Sequence, residues 1–125
     1  MNTKLFRIIA ISSLWIVVSE FLRNEILFKS YWVSHYDSLG LSFRTLPVHG
    51  LLWTVWSLLL ATQIHVLLQK FASSMVFMLT WIVNFAMMWL VLYNLQVLPL
   101  NLLIFAIPLS GLEIYVAICI QQKLS

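Results

Sequence analysis

Hydrophobic residues fill four long blocks of this chain, and few charged side chains interrupt them. The blocks cover about residues 5–22, 47–68, 74–93 and 97–120, numbered here as spans 1 to 4. A helix needs about 20 mostly apolar residues to cross the hydrocarbon core of a bilayer. Short connections after spans 2 and 3 favour neighbours that run in opposite directions. The pattern therefore predicts an all-α protein, a four-helix transmembrane bundle with antiparallel helices.

Span 1 follows Lys4 and Arg7 in the manner of a signal peptide, but no small-residue cleavage motif comes after it. We therefore expect a retained membrane helix. Its small and polar residues recur every three or four positions, at Ala10, Ser13, Val17 and Glu20. This stripe is expected to face the other helices, with Glu20 near the membrane surface. There Glu20 is expected to form an exposed, weak ion pair with Arg23.

The connection between spans 1 and 2, about residues 24–45, has its own periodic pattern. Aromatic and apolar side chains follow helical spacing at Ile26, Leu27, Phe28, Tyr31, Trp32, His35, Tyr36 and Leu39. Aromatic rings that carry a polar atom favour the headgroup layer. The segment predicts an interfacial amphipathic helix that Tyr31, Trp32, His35 and Tyr36 anchor and Gly40 ends. A short re-entrant or extended loop is the alternative.

The composition agrees with a membrane location, because 62% of the 125 residues are hydrophobic and 9% are charged. We expect a single integral membrane domain over residues 1–125, with the lipid bilayer as its solvent. The formal charge of +3 comes from scattered Lys and Arg residues without a basic stripe. This distribution does not indicate nucleic-acid binding.

The Lys and Arg residues also bear on orientation. Lys4, Arg7, Lys70 and Lys123 fall on one predicted side, and Arg23, Lys29 and Arg44 on the other. The side with both termini holds four of these residues and the other side holds three. Because positive charge favours the cytoplasmic side, both termini are expected to lie in the cytoplasm.

Glu113 is the most informative residue in the four spans. A carboxylate inside a span is costly unless it is neutral, paired or hydrated. It shares a stripe with Ala106, Ser110 and Ala117, so we expect it to point into the protein. One interpretation is a proton or cation site, with ligand or pathway residues Glu113, His65, Gln63, Asn84 and Arg7. The other interpretation is that Glu113 forms a structural contact between helices. Asn84 is open to this second interpretation as well.

The histidines do not predict a metal or haem site. His49 and His65 are separated by roughly 24 Å of helical rise and about 160° of rotation. His35 lies in the connection, so three ligands at zinc spacing are not available. Asp37 has no partners that would set up a Ser-His-Asp site. We therefore predict no metal, no cofactor and no catalytic residues.

The segments "SEFLRNEILFKSYWVSHYDSLGL" and "IPLSGLE" give the chain a recognisable layout. It resembles small four-span bacterial integral membrane proteins in which an aromatic-rich connection of the "LF...W...LG" kind follows the first span. This resemblance implies four spans and a location in the bacterial inner membrane. It transfers no residue roles, because those proteins have no assigned activity.

Three functional hypotheses follow. The first is a non-catalytic protein that acts by helix association, as a homo-oligomer or an accessory subunit, with the small-residue stripe of span 4 as a candidate contact. The alternative is a small transporter or channel for a proton, cation or small amphiphile that passes Glu113. The third is a lipid- or cofactor-binding membrane enzyme with a pocket beneath the aromatic connection.

Overall fold

A computed structural model describes residues 2–43 and 46–125. Within these residues the chain forms five continuous helices and no β-strand. They are α1 (Thr3–Leu27), α2 (Lys29–Ser38), α3 (Pro47–Leu68), α4 (Ser73–Asn94) and α5 (Leu100–Leu124). The predicted all-α class is confirmed. Arg44 and Thr45, which belong to the predicted connection, lie outside the described residues.

Four of the helices, α1, α3, α4 and α5, are long and apolar enough to cross a membrane. Their number and length support a membrane protein, as the hydrophobic blocks predict. The ends of α1 and α5 differ from the prediction. Helix α1 continues beyond residue 22 to Leu27, and α5 begins at Leu100 instead of residue 97. The late start of α5 follows from Pro99, which is extended at ψ 107°, and from Gln96, whose φ is 62°.

Helix α2 forms within the predicted amphipathic connection. It ends at Ser38, and Gly40 follows with a φ of 71°, which confirms the predicted stop. Tyr31 and Trp32 pack against a small apolar cluster formed by Phe28, Leu98, Leu102 and Ala106. Residues 29–38 are therefore helical rather than extended, and their position at the membrane surface stays a prediction.

Two of the long helices contain π-helical turns. In α1 the turn covers Leu22–Leu27, where the backbone N–H of Phe28 donates to the carbonyl of Arg23 at 2.8 Å. In α4 the turn covers Ile82–Ala86. A π turn inserts one extra residue and is found often at functional sites. Both turns therefore change which side chains face the protein interior.

The main apolar core lies between the four long helices. It contains Ile16 from α1, Leu60 and Ile64 from α3, Phe85 from α4 and Ile114 from α5, all fully buried. Such packing, rather than removal from water, holds helices together in a bilayer. The core therefore joins every long helix to its neighbours.

Polar side chains add hydrogen bonds between the long helices. The amide of Gln121 donates to Ser12 Oγ at 3.1 Å and to the Ala61 carbonyl at 2.8 Å. The Asn84 amide donates to Gln63 Oε1 at 2.7 Å. These bonds connect α5 with α1 and α3, and α4 with α3, so Asn84 does join helices as expected.

The small-residue stripe of α5 is fully inside the protein. Ala106, Ser110, Glu113 and Ala117 are all buried against other helices of the same chain. The prediction that Glu113 points inward is confirmed. The prediction that this stripe contacts a partner is wrong, because its surface is already covered within one copy. Association with a second copy or another membrane protein stays a prediction, but it would have to use a surface other than this stripe.

Candidate functional site

A cavity of about 250 Å³ lies where α1 meets α2, near the π turn of α1. We call it the aromatic cavity, because six rings line it: Phe28, Trp32, Tyr36, Phe43, Trp53 and Trp89. Glu20, Arg23 and Glu25 supply its charged groups, and Met88, Leu92 and Leu102 add apolar surface. A mostly apolar concave surface with a few polar groups is the usual form of a small-molecule site.

The charged side of the cavity is built on an ion pair between Glu20 and Arg23. Glu20 is 3% exposed and Arg23 is 6% exposed. The prediction that this pair is exposed is therefore wrong, while its depth in the membrane stays a prediction. Helix α1 continues through this position, and its π turn directs Arg23 inward. Asn24 completes the cluster, since its amide donates to Glu20 Oε2 at 2.9 Å.

Glu113 approaches the same guanidinium from α5. Its Oε1 atom lies 3.9 Å from Arg23 Nη2, and its side chain is 0% exposed. Within residues 2–43 and 46–125, neither carboxylate oxygen of Glu113 has a hydrogen-bond partner. One guanidinium therefore serves two buried carboxylates. When both acids are ionised, the trio carries one excess negative charge, which is costly in a medium of low dielectric constant.

Arg23 is held in place from α4 as well. Its Cζ atom lies 5.1 Å from the centre of the Phe85 ring, within the range of a cation–π contact. Phe85 belongs to the π turn of α4, so the two π turns of the protein meet at this contact. Arg23 Nη1 is buried and has no hydrogen-bond partner in the described part of the chain. The charged cluster therefore leaves one strong donor unsatisfied.

Aromatic side chains of α2 and the following residues cover the cavity. Trp32 stacks on Phe43 with ring centres 6.0 Å apart and an angle of 8°. Tyr36 meets Phe43 edge to face at 5.2 Å. The indole N–H of Trp32 donates to Asn24 Oδ1 at 3.2 Å, which connects the rings with the charged cluster. Trp32 and Tyr36, predicted as interfacial anchors, are thus part of the cavity wall.

The other two predicted interfacial residues lie outside the cavity. Tyr31 packs edge to face on Phe28, with ring centres 6.0 Å apart. His35 Nε2 is 2.8 Å from the carbonyl oxygen of Gln96, to which it donates. The hydrogen bond of His35 holds α2 against the chain between α4 and α5. An interfacial role for the four residues stays a prediction.

A second space of about 400 Å³ opens between α1 and α3. We call it the lateral groove. Val17, Phe21 and Gly50 line it, and it shares Glu20 and Glu25 with the aromatic cavity. Asn24, His49 and Trp53 are also common to the two spaces. The shared residues form a common boundary, so the groove lies directly beside the cavity.

The structure brings together only some of the predicted pathway residues. Gln63 and Asn84 bond to each other, while His65 Nε2 lies 2.9 Å from the amide nitrogen of Gln69, the residue that follows α3. Arg7 is exposed, and the described ion pairs of Glu113 include Arg23 but not Arg7. The bond between Gln121 and Ser12 explains this, because it places Arg7 beyond the far end of α5. A path past Glu113 stays a prediction.

Sequence reasoning missed Arg23 as the partner of Glu113. A signal was present, since Glu20, Arg23 and Asn24 share one face of a helix at spacings of three and four residues. Among the described residues, no group of three or more His, Cys, Asp or Glu side chains could hold a metal ion. Comparisons with known protein families, curated proteins and solved structures find no match to this chain.

Proposed function

We propose that this protein binds a small amphiphilic molecule in the aromatic cavity. The observation that carries the proposal is a cavity with an aromatic wall and a buried charged cluster on one side. An amphiphile has the same division into apolar and polar parts. Its apolar part packs against Trp89 and Leu102, while its polar end reaches the charged cluster. The function is binding of a membrane-dissolved molecule.

The lateral groove supports access from the bilayer. It lies between α1 and α3, two helices long enough to cross a membrane, and exposed Phe21 and Gly50 line it. A Cβ atom added at Gly50 would meet no atom of a neighbouring helix within 4 Å, so this side of the groove is open. A molecule dissolved in the lipid reaches the cavity through this opening without crossing an aqueous phase.

Filling the cavity is expected to weaken ligand binding in proportion to the added volume. Ala106 is buried and lines the cavity, so Ala106→Leu and Ala106→Phe reduce its volume stepwise. We expect about tenfold weaker binding for the phenylalanine variant, about 1.4 kcal/mol. The measurement is quenching of tryptophan fluorescence by a brominated alkanol, with the protein in nanodiscs.

Ala72→Phe is the matched control, because Ala72 is exposed and lies outside the cavity. It should bind the alkanol as the native chain does. Circular dichroism checks that each variant is folded, and the leucine variant covers the case in which phenylalanine is not tolerated. Equal quenching in the native chain and in both folded Ala106 variants contradicts the proposed site.

The topology that goes with this function has α1, α3, α4 and α5 crossing in alternating directions, with α2 in the headgroup layer. Two pairs support it: Gln121 bonds Ser12, whereas Glu113, earlier in α5, contacts Arg23, later in α1. Neighbours paired in this order run in opposite directions. Both termini then lie on one side, for which we propose the cytoplasm of a bacterium, in agreement with Lys4 and Arg7 before the first span.

Single cysteines test this topology in a Cys119→Ser background. We expect Asn2→Cys and Ser125→Cys to react with a membrane-impermeant maleimide only after cells are opened. Ser38→Cys, at the end of α2, is expected to react in intact cells. If the two terminal cysteines react from different sides, the alternating arrangement is wrong.

A further inference from the structure

Acidic residues are concentrated around the aromatic cavity of an otherwise basic chain. The sequence contains four Asp and Glu residues and seven Lys and Arg residues. Two of the acids, Glu20 and Glu25, line the cavity, and a third, Glu113, lies behind Arg23. Among the described Lys and Arg residues, Arg23 alone lines the cavity, and His49, neutral in the formal charge count, lines it as well. The formal charge of these described residues is thus opposite in sign to the net charge of the protein.

The charges of this cluster do not cancel. The carboxylates of Glu20, Glu25 and Glu113 and the guanidinium of Arg23 have a summed charge of two negative units when all are ionised. The sum is one negative unit if Glu20 and Glu113 hold a single proton between them. Glu113 is completely buried, faces the guanidinium and has two carboxylate oxygens without hydrogen-bond partners among the described residues. A positive charge brought into the cavity would reduce the excess.

Glu25 is the carboxylate in the best position to meet such a charge. It is half-buried and lines both the cavity and the lateral groove. Within residues 2–43 and 46–125 its side chain takes part in no ion pair or hydrogen bond. Glu20, in contrast, already pairs with Arg23 and accepts from Asn24. Glu25 therefore stands at the boundary between groove and cavity with its charge uncompensated by the described part of the protein.

The aromatic wall favours the same kind of ligand. Trp32, Tyr36 and Phe43 form one connected group of rings, and Trp53 lines the cavity and the groove together with Glu25. Aromatic faces attract organic cations, and quaternary ammonium groups bind in cages of such rings. An anion would meet the carboxylates of Glu20 and Glu25, and Arg23 is already paired with Glu20.

Building on the proposed binding function, we infer that the ligand is a lipophilic cation with an ammonium-like head. The head lies between Glu25 and the rings of Trp32, Tyr36 and Phe43. The hydrocarbon part extends toward Met88 and Leu92, which line the same cavity. The aromatic cavity is thus selective for charge as well as for hydrophobicity.

Three compounds with the same ten-carbon chain test the charge of the ligand: decyltrimethylammonium, decanol and decanoate. Binding to the protein in nanodiscs of zwitterionic lipid is followed by tryptophan fluorescence, and partition into empty nanodiscs is subtracted. We expect the cation to bind about tenfold more tightly than decanol, and decanoate to bind most weakly.

Glu25→Gln is expected to reduce the preference for the cation over decanol to about threefold or less. This variant should fold, because Glu25 makes no hydrogen bond or ion pair with other described residues. Asp37→Asn is the matched control: it removes the same charge from a position outside the cavity and should leave the preference unchanged.

The outcomes separate the two proposals. Equal binding of all three compounds, or tightest binding of decanoate, overturns the inference of a cationic ligand and leaves the proposed binding function in place. Failure of all three to bind overturns both. If Asp37→Asn reduces the preference for the cation as much as Glu25→Gln does, the preference reflects surface charge only. That result also overturns the assignment of the cation to this cavity.

Discussion

Replacing Arg23 with methionine is expected to lower the free energy of unfolding by about 3–5 kcal/mol, because it leaves Glu20 and Glu113 buried without a positive partner. Methionine keeps most of the side-chain volume, so the loss is mainly electrostatic. The measurement is denaturant unfolding in mild detergent, followed by circular dichroism. Arg7→Met is the matched control, because Arg7 is exposed, and it should change the free energy by about 0.5 kcal/mol or less.

A second variant separates charge from packing. Adding Glu113→Gln to Arg23→Met removes one of the two carboxylates left without a partner, so part of the stability should return. Residues within one charged network show coupling energies of about 0.5–3 kcal/mol. If the double variant is less stable than Arg23→Met by the full cost of Glu113→Gln alone, Arg23 and Glu113 are not coupled. The shared guanidinium would then have no energetic role.

Replacing Phe85 with alanine is expected to lower the free energy of unfolding by about 3 kcal/mol. Phe85 is fully buried, lies beneath Arg23, and contacts the rings of Trp56 and Trp89 at centre distances of 5.8 Å each. Because lipid is as apolar as the core, the loss comes from packing contacts and the void left behind, not from exposure to water. The same unfolding measurement applies.

Leu90→Ala is the control for Phe85→Ala. Leu90 lies on the same helix, which is long and apolar enough to cross a membrane, and its side chain is 68% exposed. We expect a change of about 0.5 kcal/mol or less. Phe85→Leu should fall between the two, since it keeps most of the volume but loses the cation–π contact. Equal effects of Phe85→Ala and Leu90→Ala would show that the core around Phe85 is loosely packed.

The two π turns explain why the binding site has this position. Each residue rotates about 100° around an α-helix, so the extra residue of a π turn changes which side chains face inward. In α1 the turn contains Arg23, Asn24 and Glu25, and in α4 it contains Phe85. The contact between Arg23 and Phe85 therefore depends on two local departures from regular helix geometry.

Several parts of the fold follow from local sequence alone. The length of each apolar block sets the number of long helices, because a membrane-spanning helix requires only a continuous hydrophobic run. Single residues mark some boundaries: Pro47 begins α3, and Gly40 follows the end of α2 with a positive φ. The cost of a charged group in lipid likewise predicts that Glu113 faces inward. None of these features requires knowledge of a distant residue.

The binding site depends on tertiary structure. In helices that are apolar on every side, the 3.6-residue pattern gives little information about which face meets which neighbour. The π turns then shift the faces further, so Arg23 is buried beside Glu113 although sequence reasoning placed it at the surface. The aromatic cavity requires α2 to fold back over the long helices, which no local pattern specifies. The sequence therefore determined the long helices and the inward orientation of Glu113. Packing between distant segments decided that Arg23 is the partner of Glu113 and where the aromatic cavity lies.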